Sequence, residues 1–248
     1  MNHAPQSVPF LLVGGRNLLD GVIYRFEDGT EGETDDTTGV GPQHQWKSSK
    51  GNGIRSASLV MEGLFDDELD GIHKAVEGNQ QVAQVVLYGF QGGAIGKKCT
   101  GLAGAFGAKY RRGMSRPQLH RVNAEFTVSG AKDEGVILHD LAAETGSSWN
   151  TEGESVDHGA ATTNGGAGQL QVNALTLGGY TNAVVKVRHS VDNSVWADLL
   201  TFTAVTAAPA AQRVAVSGTV NRHLSVACAY TGSGSGPSIT PVVAFARG

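Results

Sequence analysis

The residue types that most often carry chemistry are scattered along this chain. Gly92 to Thr100, GGAIGKKCT, has the glycine and lysine content of a phosphate-cradling loop. That motif needs a glycine where Gln91 stands and a magnesium-binding Ser or Thr where Lys98 stands, so no nucleotide site is expected. The histidines (His3, His44, His73, His120, His139, His158, His189 and His223) occur singly. His139, Asp140 and His158 are the set that folding could bring onto a metal, but isolated histidines are ordinarily surface residues, and neither metal nor cofactor is expected. Nucleophile-elbow, His-Glu-x-x-His and dinucleotide patterns do not occur. Carboxylates are plentiful, yet no acid–base pair can be assigned without geometry. Trp149 and Trp196 could form a sugar-stacking platform or simply pack in a core. The expectation is a chain that is not an enzyme.

Composition narrows the alternatives. The 248 residues, with 40% hydrophobic and 17% charged, are enough for one or two domains with proper cores. Thirty-five glycines against seven prolines favour many short strands joined by turns. Cys99, in an expected loop, and Cys228, in an expected strand, read as two free thiols. That points to synthesis in a reducing compartment. No apolar run approaches the ~20 residues that span a bilayer, and residues 1–15 do not resemble a signal peptide.

The net charge of −4 is unevenly distributed. Glu27, Asp28, Glu31, Glu33, Asp35 and Asp36 form an acidic run without a base; Lys97, Lys98, Lys109, Arg111, Arg112, Arg116 and Arg121 form a basic, glycine-rich run without an acid. Each could be a solvated surface, or the two could be partners.

The elements that must position these groups are mainly strands. Val8 to Val13, Val22 to Phe26, Ile54 to Met61 and Val82 to Phe90 read as strands, and Asp28 to Gly53 reads as a long polar loop without periodicity. Phe65, Leu69, Ile72 and Val76 share one helical face, with acids at the start and Gly78-Asn79 as the stop, which predicts a helix over Asp66 to Glu77. In Arg121 to Ser129 the residues Val122, Ala124, Phe126 and Val128 alternate with Asn123, Glu125, Thr127 and Ser129. One face is therefore apolar and the other meets water or a hydrophilic channel. Lys132 to Asp140 reads as a connector. Beyond it, evenly spaced runs at Gln169 to Leu177, Ala183 to His189, Ala197 to Val205, Arg213 to Val216, Leu224 to Tyr230 and Val242 to Phe245 predict an antiparallel, jelly-roll-like sandwich without helices.

The first part resembles the tail tube (major tail) proteins of long-tailed bacteriophages. The likeness lies in the order of features from Val8 to Gly130: an apolar arm with LLVGG, a long polar loop, the helix, and a final alternating strand ending RVNAEFTVSG. The second part, with VVKVRHSVDNSVWADLLTF and VSGTVNRHLSVACAYTGSGSGPSITPVVAFAR, is similar to sandwich modules of phage virion proteins. The resemblance implies a tail-tube-like β-sandwich or barrel with one flanking helix over 1–131, a connector at 132–140 and a decorating β-sandwich over 141–248. It implies stacked, hexameric rings whose lumen passes double-stranded DNA without sequence-specific binding. Partners would be further copies and other tail proteins (tape measure, terminator), with no membrane contact, in a virion assembled from subunits made in the host cytoplasm. On this reading Asn123, Glu125 and Thr127 line the lumen. Glu31, Glu33, Asp35 and Asp36 would then oppose Lys109, Arg111, Arg112 and Arg116 across a subunit interface, unless the bases turn to the lumen. The alternative is a decoration or carbohydrate-binding protein acting through the second part.

Overall fold

The computed structural model of the protein describes residues 8, 10–20, 23–36, 49–64, 72–77, 82–115 and 119–248. Its architecture is mainly β, with antiparallel sheets. The first half begins with β1 (Leu11–Val13) and β2 (Arg16–Asn17), turned through Gly14 and Gly15 at φ of 58° and 89°. Both glycines therefore sit in the left-handed region that other residues rarely adopt.

β3 (Ile23–Asp36) and β4 (Ser49–Leu64) follow as one long hairpin. This corrects the expected loop: residues 28–36 and 49–53 are paired strand, and only 37–48 lie outside the described residues. A strand satisfied by backbone pairing needs no hydrophobic periodicity, and here Thr30 and Glu31 face water. Of the predicted helix, α1 (Ile72–Glu77) is described; residues 65–71 lie outside the described set. β5 (Gln84–Tyr88) matches its expectation.

The largest departure is β6 (Lys98–Ser115), an 18-residue strand built from the basic, glycine-rich run. Cys99 is thus in a strand and 4% exposed, and burial pushes its thiol up to about 12. β7 (Leu119–Val128) pairs with the later part of β6 as expected for an alternating strand. β8 (Lys132–His139) is the segment read as a connector. It is a strand hydrogen-bonded to the start of β6 on one side and to the last strand of the chain on the other. β7 and β8 run along the same side of β6, with a break at Ser129 to Ala131 opposite Gly104.

The second half contains β9 (Glu144–Thr145), β10 (Ser148–Asn150), β11 (Val156–Asp157), β12 (Gly166–Thr176), β13 (Asn182–Ser190), β14 (Trp196–Thr201), β15 (Ala210–Val216), β16 (His223–Thr231) and β17 (Ser238–Arg247). One layer has the order β8-β17-β12-β15, and the facing layer has β10-β16-β13-β14, with β11 also on β16. Taking β8 with β9 as first and β10 with β11 as second gives orders 1-8-3-6 and 2-7-4-5. That is the double Greek-key wrapping of a jelly roll, as the even strand spacing implied. Leu170, Val172, Val243 and Phe245 of one layer meet Val185, Val187, Val226 and Cys228 of the other in a single core.

A separate core joins Leu11, Val13, Leu59, Met61, Val86, Tyr88, Phe126 and α1 Val76 in the first half. The two halves meet through a third apolar cluster that includes Phe10, Leu12, Leu87, Ile137, Val242 and Ala244. Buried amides reinforce the seam. Gln171, fully buried, accepts from Gly15 N at 2.6 Å and donates to the Val85 carbonyl at 2.9 Å. Asp133 accepts from Gln169 at 2.9 Å and from both arms of Arg213 at 2.6 and 2.9 Å.

Two consequences are testable. A Cβ on Gly101 would meet the Gln169 side chain at 1.9 Å, and that side chain is held by Asp133. Gly101→Ala should therefore destabilise the chain by about 1–3 kcal/mol in urea melts, whereas Gly153→Ala, which meets nothing, should not. The Asp192 carboxylate accepts from Val195 N, Ser194 N and the Ser190 hydroxyl, which hold it below the usual carboxylate range. Its stabilisation is present above the ordinary Asp pKa of about 3.9 and is lost as pH falls through the depressed folded value. Asp192→Asn should flatten that part of the acid limb of the stability curve.

Candidate functional site: an open four-stranded sheet with two free edges

Strands β3, β4, β7 and β6 lie side by side, each antiparallel to the next. Their apolar face carries Phe26, Leu59, Met61, Ala124, Phe126 and Tyr110 over the first core. Because residues alternate along each strand, the other face carries Arg25, Glu27, Glu31, Glu62, Asn123, Glu125, Thr127, Arg121, Lys109 and Arg111.

That second face is a lattice of matched charges. Arg25 binds Glu27 at 2.9 Å and Glu62 at 3.2 Å; Asn123 donates to the same Glu62 oxygen at 3.1 Å; Lys109 binds Glu125 at 2.7 Å. Hydrogen bonding and charge from Glu27, with help from Glu62, raise the Arg25 guanidinium above its ordinary value. Four bases (Arg25, Lys109, Arg111, Arg121) and four acids (Glu27, Glu31, Glu62, Glu125) share the face, which is therefore neutral among the described side chains. Exposed pairs of this kind contribute little stability, about 0–1 kcal/mol each.

The sequence-predicted residues fall on this sheet in a revised arrangement. Asn123, Glu125 and Thr127 are together on the polar face, half-buried, as the alternation required. Lys109, grouped by sequence with the bases of an interface, binds Glu125 within the chain. Arg112 lies on the opposite face, 3.5 Å from Glu77 of α1. Arg111 is exposed near the β6 edge, and Arg116 lies outside the described residues. Glu31 is exposed on β3, whose backbone continues through Glu33 to Asp35 and Asp36, in register with Lys50 and Ser49. Within one chain the acidic and basic runs do not meet. They occupy opposite edges of the sheet, with β4 and β7 between them, about 14 Å apart at ordinary strand spacing.

Among the described residues both edges are open: β3 pairs with β4 alone, and β6 beyond Ala105 pairs with β7 alone. Sequence reasoning missed Arg25 and Glu62. Glu62 was legible in the alternation Ser56, Ser58, Val60, Glu62 of β4; Arg25 carried no comparable signal.

The other candidate groups do not assemble. Trp149 on β10 and Trp196 on β14 stand at opposite edges of their sheet, separated by β16 and β13, and so share no platform. Trp149 packs against the second core and His139. His139 is buried and faces the Asp140 carbonyl at 2.7 Å and Glu144 at 3.2 Å, while His158 lines a cavity with Arg247. Among the described residues no group of His, Cys, Asp or Glu could hold a metal, and no helix is long and apolar enough to cross a membrane.

Comparison with known protein families and with curated proteins finds no match to this chain. Several solved structures are similar at low identity. The tail of an empty gene transfer agent particle, refined helically with C6 symmetry, matches at TM-score 0.33 and 16% identity, over 45% of this chain and 81% of that one. A chain from the virion of a native gene transfer agent matches at 0.35 and 17%, over 54% and 98%. The Dit protein (gp 19.1) of phage SPP1, described as a paradigm of hub adsorption apparatus in phages infecting Gram-positive bacteria, matches at 0.37 and 9%, over 96% and 98%. At these TM-scores the likeness carries no argument about function, which rests on the geometry of the sheet.

Proposed function

We propose that this chain is a structural subunit of a phage tail, which closes into rings by pairing the β6 edge of one copy with the β3 edge of the next. The observation that supports this reading is the pair of open, oppositely charged edges on one sheet. An unpaired strand edge is a template for another chain, and soluble proteins usually shorten or cover it. Here each edge is long. Acids along β3 repel a second β3, bases along β6 repel a second β6, and only the mixed pairing is attractive.

Strand direction supports the same partner choice. With four alternating strands, β3 and β6 run in opposite directions, so apposing β6 to a neighbouring β3 continues the antiparallel ladder. Such a contact is head-to-tail, and it closes into a ring where the rotation between copies allows. The charged face would then line a bore, with Asn123, Glu125 and Thr127 among its lining groups. A face on which bases and acids balance, with Arg25 and Lys109 already held by carboxylates, offers DNA few free phosphate contacts, which suits a duplex that must slide.

On this reading residues 141–248, which complete the jelly roll begun by β8, decorate the outside of a ring formed by residues 1–131, and stacked rings form the tube for genome delivery. Tape measure and terminator proteins would be further partners, in a virion built in the host cytoplasm. The alternative, glycan binding through the jelly roll, has no geometric support from its tryptophans.

Electron microscopy of the concentrated full chain should show rings stacked into tubes. Arg111→Glu should raise the concentration needed for assembly at least about tenfold, and Glu31→Lys in the same chain should recover part of that loss. Monomer stability should stay within about 0.5 kcal/mol of the parent, because both residues are exposed. Assembly should also slow in 1 M salt, where the screening length falls to about 3 Å. Rings that never stack would move the reading from tube to hub, and a chain that stays monomeric at all concentrations would contradict it.

A further inference from the structure

A second surface feature is unconnected with the sheet edges. On one face of the larger sheet, Lys98 of β6, Val136 of β8 and Phe245 of β17 occupy one cross-strand row. They floor a cavity of about 460 Å³ that Glu134, Gly135, His158 and Arg247 complete. Arg247 follows Phe245 by two residues and so shares its face of β17, while His158 enters from the loop after β11.

The charges here are not balanced. Arg247 donates through Nη2 to the Ala160 carbonyl at 2.7 Å, so its positive charge meets a neutral acceptor. Its Nε is buried without a partner, and so is Nε2 of His158. Glu134, the acid of the lining, is already engaged by the Thr100 hydroxyl at 2.9 Å and by Lys132 at 3.4 Å. Asp157, next to His158, is bound by Arg222 at 2.5 Å and accepts from Gly159 N at 2.7 Å. The His158 imidazole is held below its ordinary pKa, first by burial and then by Arg247. Water cannot neutralise Lys98 and Arg247.

We infer that this cavity binds a phosphate monoester, its oxyanion held by Lys98, His158 and Arg247 and its organic body resting on the Val136–Phe245 floor. Donors arriving from three separate elements suit a tetrahedral oxyanion better than a planar carboxylate, which a single guanidinium grips in its own plane. The cavity is several times larger than a phosphate group, so the ligand carries a small body. Its concave shape favours a terminal phosphate over the continuous backbone of a nucleic acid.

The test is isothermal titration calorimetry on the full chain with glycerol 3-phosphate, inorganic phosphate, acetate and a single-stranded oligonucleotide. Saturable binding of glycerol 3-phosphate at one site per chain is expected, with inorganic phosphate weaker and acetate at least about tenfold weaker. Lys98→Ala, an exposed change that leaves the fold intact, should weaken binding about three- to tenfold, and Arg247→Lys should weaken it further. Lys186→Ala, on the opposite layer, should leave it unchanged. Equal affinity in Lys98→Ala and the parent, equal affinity for acetate, or tighter binding of the oligonucleotide would each overturn the assignment. None of these outcomes depends on ring formation.

Discussion

Backbone hydrogen bonding left incomplete along two edges of one sheet is the constraint on which the functional account depends. An amide and a carbonyl at an exposed edge are satisfied by water, so the isolated chain suffers no penalty. When a second edge of matching direction and opposite charge is available, the same groups can exchange water for one another, and the ladder extends at little conformational cost because both strands are already extended. Charge does not supply most of that affinity; it sets which edges meet and in which register. The neutral face between the edges follows the same logic. With Arg25 and Lys109 bound to carboxylates on the face itself, the proposed assembly would leave little uncompensated charge there.

Strand β6 couples this sheet to the rest of the molecule. Its beginning pairs with β5 and β8 and so belongs to the layer that continues into the jelly roll, while its later part forms the open edge beside β7. The open part of β6 is therefore continuous with the layer of the jelly roll. The buried contacts of Gln171 with Gly15 and Val85, and of Asp133 with Gln169 and Arg213, fix that relation with polar groups that would be costly to leave unpaired. These contacts hold the second half against the first, as the proposed ring would require of a module carried on each copy.

Much of this was legible in the residues, and the failures have physical reasons. The alternation of Asn123, Glu125 and Thr127 with Val122, Ala124 and Phe126 marked β7 and its two faces, because period-two burial is a local signal. The jelly roll followed from strand spacing. β6 was missed because glycines and bases stand where apolar alternation would be sought, and its pairing with β5, β7 and β8 depends on distant segments. Residues 28–36 carry no apolar periodicity, with Thr30 and Glu31 exposed, and the stabilising partner, β4, lies beyond a further polar stretch. Lys132 to His139 looked like a linker since Lys132, Asp133 and Glu134 are charged, yet Lys132 reaches Asp28 at 3.1 Å and Asp133 anchors Arg213. The pairing of Lys109 with Glu125 could not be read at all, for it arises from cross-strand register and not from sequence distance.

The central claim is that β6 and β3 edges of different copies share backbone hydrogen bonds. Amide hydrogen exchange read by mass spectrometry, comparing dilute monomer with assembled protein, tests it most directly. The account predicts that peptides covering 23–32 and 106–115 both gain protection on assembly, while those covering β13 and β16, already paired on both sides in the jelly roll, do not change. Assembly that leaves either edge exchanging at its monomer rate would contradict it.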